Sequence, residues 1–168
     1  MPTILIMKSS KLLLLKEFKR LKKNPMDEFD ISLSDSNIYN WNVFFQGPIE
    51  TSYEEGYFSA NINFPENYPS VPPSFVFRNK MFHPNIYNDG KVCLSILHKP
   101  IKDKYEYELI EERWRPVLSI ESIVLSVISL LSNPNLDSPA NLDASVMYRN
   151  NFEKYKKKVK KLARQTLE

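Results

Sequence analysis

Three runs of strict alternation lie within the first 64 residues: Phe29, Ile31 and Leu33; then Trp41, Val43 and Phe45; then Phe58, Ala60, Ile62 and Phe64. Side chains of a strand point alternately to its two faces, so such runs predict half-buried strands. Gly47-Pro48 and Pro65 interrupt them, and Phe75-Val76-Phe77 supplies a fourth. Parallel pairing needs crossovers of about a dozen residues or more, and the gaps here are short. The expectation is an antiparallel meander, one face packed on helices and the other open.

Helices flank this sheet. Ser9-Ser10 followed by Leu14, Phe18 and Leu21 predicts an N-capped amphipathic helix, wet along Lys16, Lys19, Lys22 and Lys23 and ended by Asn24-Pro25. Ile120, Ile123, Val124, Val127, Ile128 and Leu131 are apolar almost all round, the pattern of a buried central helix capped by Ser119 and stopped near Pro134. Two C-terminal helices are expected to turn Val146, Met147, Phe152, Tyr155, Val159 and Leu162 inward. At about 150 residues per domain, a chain of 168 residues without repeat or linker is one domain, of the α+β class.

No element is legible from residue 78 to 118. Stretches of that length in a compact domain are usually functional. Here lie Met81-Phe82-His83-Pro84-Asn85-Ile86, Asn88-Asp89-Gly90 and Val92-Cys93-Leu94-Ser95-Ile96-Leu97-His98. Cys93 is the single cysteine, which excludes an intramolecular disulfide and suits a reducing compartment. Lone cysteines are usually inert small hydrophobes. This one follows Asn85 by eight positions in a loop punctuated by proline and glycine. A thiolate suits acyl transfer, because a thioester stays activated towards an amine. An Asn amide can donate to the developing oxyanion, or bond the backbone of its own turn; both roles stay open.

Charge is uneven along the chain. The net +3 hides +6 over residues 1–25, +5 over 141–168 and −4 over 103–112. With no nucleic-acid motif, solvated basic faces are the expectation, and an acidic protein partner suits the first helix better than nucleic acid. One cysteine and two histidines cannot supply a four-ligand zinc site, so no metal or cofactor is expected. No segment is apolar enough to span a bilayer, and Met1–Met7 lacks the length and preceding basic residues of a signal peptide. The expected placement is cytoplasmic or nuclear.

The combination of His83-Pro84-Asn85, Cys93, Trp114-Arg115-Pro116, Tyr68-Pro69-Ser70-Val71-Pro72-Pro73 and Pro134-Asn135 resembles the ubiquitin-conjugating enzymes, in order and over essentially the whole chain. The stretch between Leu97 and Ile110-Glu111-Glu112-Arg113-Trp114, with Ser138-Pro139-Ala140-Asn141-Leu142-Asp143-Ala144-Ser145, resembles the G-type branch that serves degradation at the endoplasmic reticulum. The resemblance implies one catalytic domain over residues 1–168, with an acidic active-site insertion at 98–112. The fold it implies is an N-terminal helix, a four-stranded antiparallel meander, an active-site loop, a central helix and C-terminal helices.

By the same resemblance, Cys93 accepts the ubiquitin C-terminus as a thioester from an activating enzyme, the only ATP consumer. A ligase then promotes its transfer to substrate lysines. Asn85 serves the oxyanion or the loop. His83 is a loop-organising hydrogen bonder rather than a base. His98, otherwise read as a solvated histidine, gates or tunes the site together with Asp103, Glu106, Glu108, Glu111 and Glu112. These acids attract a lysine yet keep its ammonium protonated, so their net effect is open. Many members carry an acid where this chain has Ser138, so Asp137 beside it, a ligase or the insertion must orient the lysine. Ser70, Val71, Arg115 and Pro116 form the ligase-facing surface. Ser70 stands where thioester-forming ligases want a large aromatic, which favours scaffold ligases.

Against this stand a non-catalytic adaptor of the same fold, disfavoured by the presence of Cys93 and Asn85, and a cysteine hydrolase, disfavoured because no base paired to Cys93 is evident. The branch resemblance adds recruitment to the endoplasmic reticulum membrane by a partner, without direct membrane insertion.

Overall fold

The computed structural model describes residues 2–100 and 110–168, and the side chains within those ranges apart from 2–8 and 110. The insertion acids Asp103, Glu106 and Glu108 lie outside the described residues. Helix α1 (Pro2–Lys23) leads into strands β1 (Asp30–Ser34), β2 (Asn37–Gln46), β3 (Tyr57–Asn63) and β4 (Ser74–Phe77). After the loop that carries Cys93 come α2 (Ile120–Ser132), α3 (Leu142–Asn150) and α4 (Phe152–Gln165). Single 3-10 turns at Ser95–Leu97 and Ile110–Glu112 are the helical pieces described between β4 and α2.

The four strands form one antiparallel sheet in chain order, as the alternation predicts. Register follows the apolar positions. Trp41 stands opposite Leu33 and Ile62, Val43 opposite Ile31 and Ala60, and Phe75 and Phe77 opposite Ile62 and Ala60. A slip of one residue would turn all of these outward, so burial of one face specifies the pairing. The other face is polar: Asn42 donates to Ser32 Oγ, and Asn61 donates to Asn42 Oδ1.

One core joins the inner sheet face to the helices. Trp41 takes Phe18 of α1 edge-on and touches Phe64, and its indole N–H donates to the Ile38 carbonyl at 2.7 Å. In α2 the side chains of Ile120, Ile123, Val124, Val127, Leu130 and Leu131 are buried, and Ser119 caps the helix by accepting from Ser122 N–H.

Two helical expectations are corrected. Ser9-Ser10 is not an N-terminus: α1 begins at Pro2 and runs through both, and Ser10 is buried with its hydroxyl 3.0 Å from the Tyr39 hydroxyl. A serine in a helix interior with a hydroxyl partner across the core mimics a cap in sequence. In the C-terminal pair, Val146 and Phe152 are nearly half exposed rather than inward, while Ala144, Ser145, Tyr155, Val159 and Ala163 are buried. Ala163 lies against Gly56, just before β3, a close approach that takes a small side chain and that a search for large apolar ones passes over.

Candidate active site

The active-site loop is a continuation of the sheet. Past β4 the chain returns so that Phe77 N–H donates to the Gly90 carbonyl and Val92 N–H to the Phe75 carbonyl. Residues 85–93 form a tight hairpin across the Ile86–Val92 bridge, with Cys93 N–H donating to the Asn85 carbonyl at 2.8 Å and Tyr87 N–H to the Lys91 carbonyl at 2.9 Å. Asn88-Asp89-Gly90 makes the turn. Gly90 has φ of +91° and lies against Phe77, whose carbonyl oxygen would sit 2.3 Å from any Cβ placed there, so only glycine fits.

Alternation through the hairpin decides what faces where. Ile86 and Val92 are buried, so the opposite face carries Tyr87, Lys91 and Cys93, with Asn85 on the same side but itself buried. Cys93 is half-buried, not sealed in the interior. It lines a cleft together with Val71, Pro72, Pro73, Tyr87, Lys91, Leu97, His98 and Lys99.

His83 organises the base of this loop. Its Nδ1 accepts from Asn85 N–H at 2.9 Å, which leaves the proton on Nε2, donating to the Leu130 carbonyl in the last turn of α2 at 2.8 Å. Next to it, the Phe82 carbonyl accepts from the hydroxyls of both Tyr53 and Tyr155. The Pro84 carbonyl accepts from Ala140 and Asn141 N–H, and the Asn141 side chain caps α3. The loop is therefore tied to α2, α3 and α4 at once.

Burial lowers the His83 imidazole to about 4, the Leu130 bond opposing it. The folded chain thus binds this proton less readily than the unfolded chain does at about 6.5. Stability from neutral His83 is complete above about pH 6.5 and is lost as pH falls towards 4. Its upper limit is about 3 kcal/mol, with about 2 kcal/mol lost between pH 7 and pH 5. Urea unfolding at those two pH values should show a smaller pH difference in His83→Gln than in the native chain; equal differences would refute the assignment.

The Asn85 amide is committed in both directions. Its Nδ2 donates to the Asn135 carbonyl at 2.7 Å, and its Oδ1 accepts from Asn135 N–H at 2.8 Å. The side chain is thus paired with the backbone of the α2–α3 connection rather than with its own turn.

His98 is half-buried rather than solvated, and its Nε2 stands 3.7 Å from Cys93 Sγ. The fold thus sets an imidazole beside the thiol, a pairing not evident in the sequence. The insertion is drawn together at its root, where Trp114 N–H donates to the His98 carbonyl and Arg113 Nη1 to the Lys99 carbonyl. Glu111 and Glu112 are exposed beyond this root.

Asp137 and Ser138 are exposed on the α2–α3 connection and do not line the cleft at Cys93; Asp137 N–H donates to Asn135 Oδ1. Ser70, Arg115 and Pro116 are exposed on two neighbouring loops joined by Trp114, whose indole N–H donates to the Pro69 carbonyl and whose ring meets Tyr68. Val71 belongs to this surface and to the wall of the Cys93 cleft.

Tyr87 carries no signal of its own in the sequence. The signal is the pair Ile86 and Val92 about a turn-forming Asn88-Asp89-Gly90, which sets Tyr87 on the face of Cys93. Among the described residues no group of three or more His, Cys, Asp or Glu side chains is placed to hold a metal.

The family model for ubiquitin-conjugating enzyme matches residues 13–163. Among similar proteins, ubiquitin-conjugating enzyme E2 14 of Arabidopsis thaliana is 51% identical over 158 residues, covering 94% of this chain and 95% of its own length. Ubiquitin-conjugating enzyme E2 15 of Schizosaccharomyces pombe is 47% identical over 161 residues, covering 95% and 96%.

Proposed function

The chain belongs to the ubiquitin-conjugating enzyme family, and from that premise we propose that Cys93 is the residue on which it carries ubiquitin. Membership makes the protein a thioester-forming transferase that receives ubiquitin from an activating enzyme and, with a ligase, passes it to protein substrates. The observation that supports Cys93 is its placement: the sole thiol of the chain, half-exposed in a cleft, beside Asn85 and His98.

The chemistry is two acyl transfers. The Cys93 thiolate attacks the thioester carbonyl on the activating enzyme; a carbon–sulfur bond forms and the old one breaks, releasing the enzyme's thiolate. A substrate amine then attacks the same carbonyl, the carbon–nitrogen bond forms, Sγ leaves with the electron pair, and the amine proton passes to solvent. In the transfer step the oxyanion is stabilised by a fixed donor such as the Asn85 amide. ATP is consumed upstream.

We extend the reading to the G-type branch, with His98 and the insertion tuning the cleft and a role in degradation at the endoplasmic reticulum. The residues from Leu97 to Trp114 and the run Ser138–Ser145 support it. No helix among the described residues is long and apolar enough to cross a membrane, so a partner would bring a cytoplasmic protein there, with the nucleus a second compartment. Asp137 and Ser138 are proposed to orient the incoming lysine from the α2–α3 connection. Ser70, Val71, Arg115 and Pro116 are proposed as the ligase surface, for scaffold ligases because exposed Ser70 offers no aromatic anchor.

The test is a loading reaction with ubiquitin, activating enzyme and ATP. A single-ubiquitin adduct that thiol reductant removes is expected; an adduct that survives reductant would contradict the thioester. The same reaction with ubiquitin's relatives should give less adduct.

A further inference from the structure

Helix α4 turns one face into the core and a basic face to solvent. Tyr155, Val159 and Ala163 are buried, with the Tyr155 hydroxyl 3.1 Å from that of Tyr53 and Ala163 against Gly56. Tyr57 N–H donates to Thr166 Oγ1 at 2.8 Å, which ties the C-terminal end of the helix to β3. Residues 152–168 hold seven Lys and Arg side chains and two acids. Lys154, Lys157 and Lys161 follow i, i+3, i+7 spacing, a row opposite the buried stripe, and all three are exposed. Lys158, Lys160 and Arg164 flank the row and are exposed too.

Three of the seven cations have partners: Lys156 pairs with Glu153, Arg164 pairs with Glu55, and Lys158 Nζ lies 3.8 Å over the Phe82 ring. Lys154, Lys157, Lys160 and Lys161 make no ion pair among the described residues. Lys154 and Lys158, Lys156 and Lys160, and Lys157 and Lys161 are like charges at i, i+4, which weaken a helix. Helix stability therefore does not account for the row, whereas a polyanion laid against it would relieve the repulsion.

We propose that the outward face of α4 docks on the surface of an anionic lipid bilayer, the helix lying flat on the headgroups without inserting. Six of the seven cations are Lys, compact point charges suited to a diffuse negative surface; the planar fork of Arg suits bidentate recognition of single phosphates. The row carries no aromatic ring on which nucleic-acid bases could stack, and no apolar centre of the kind that anchors a protein interface. Apolar side chains are instead exposed at the two ends, Phe152 at 45% and Leu167 at 65%, where they can rest at the headgroup boundary. The helix has 14 residues, about 21 Å, enough to lay its cations over several headgroups at once. No residue of α4 lines the Cys93 cleft, so docking leaves the cleft open.

Co-sedimentation of the full, unloaded chain with vesicles tests this, and its outcome does not depend on the reading of Cys93. The chain should bind vesicles of mixed phosphatidylserine and phosphatidylcholine, ignore phosphatidylcholine alone, and come off at about 1 M salt, where screening is complete within about 3 Å. Each Lys near such a surface contributes about fivefold, so combined Lys154→Gln, Lys157→Gln and Lys161→Gln should weaken binding roughly a hundredfold. Lys16→Gln, Lys19→Gln and Lys23→Gln remove the same charge from exposed positions of α1 and should leave binding within about fivefold of native. A native chain that ignores phosphatidylserine vesicles overturns the proposal. Equal losses in the two triple variants do so as well, since net charge alone would then explain binding. Tighter binding to double-stranded RNA or to polyglutamate than to vesicles of matched anionic charge would give the face to another class of partner and likewise overturn it.

Discussion

Cys93→Ser should turn a reductant-labile ubiquitin adduct into a reductant-resistant one, and Cys93→Ala should leave no adduct. The argument starts from the count: with one cysteine in the chain, no other thiol can substitute. Serine keeps the geometry, since Cys93 N–H still donates to the Asn85 carbonyl and the residue still lines the cleft. What changes is the acyl bond, because an alkoxide is a far poorer leaving group than a thiolate and an oxyester does not exchange with free thiols. The adduct of the serine variant should accumulate slowly, survive reductant on a gel and fail to discharge to lysine. A serine adduct as labile as the native one would remove Cys93 from the mechanism.

Asn85→Ala carries the second large effect, and the structure separates its two components. Loss of the amide strips the partners from Asn135 N–H and C=O, so the α2–α3 connection loosens at a cost of about 1–3 kcal/mol. Loss of an oxyanion donor costs about 100- to 1000-fold in the step it serves. The expected outcome is a protein that still loads, within about tenfold of the native rate, but transfers to lysine more slowly by that larger factor. Single-turnover discharge measured beside loading checks it. Equal slowing of both steps, together with a lowered unfolding midpoint, would assign Asn85 to loop architecture alone. Asn85→Asp sharpens the comparison: the carboxylate keeps the acceptor for Asn135 N–H but sets a negative oxygen against the Asn135 carbonyl, so it should transfer no better than alanine.

The sheet was legible because its signal is local. Trp41, Val43 and Phe45 alternate over a few residues, and neighbouring strands repeat the pattern at short range, so order and register follow from burying one face. The buried α2 was legible for the same reason. Ser10 and the small residues of α3 and α4 were not, because their roles are set by what lies across the core: Tyr39 against Ser10, and Gly56 against Ala163.

The active-site loop divides along the same line. Its chemistry could be read from a single thiol and an amide within a few positions, together with the family resemblance that makes His83 a loop-organising hydrogen bonder. Its geometry could not, since it depends on bonds between residues far apart in the chain: His83 to Leu130, Asn85 to Asn135, Trp114 to His98. Residue order along the chain thus determined the fold class, the family and the candidate nucleophile, since these rest on periodicity and on motif spacing. Tertiary structure alone decided that His98 Nε2 stands 3.7 Å from the sulfur and that the Asn85 amide is tied to Asn135. The reason is physical: periodicity encodes which face of an element is buried, whereas a site assembled from loops is defined by hydrogen bonds whose partners the local pattern does not name.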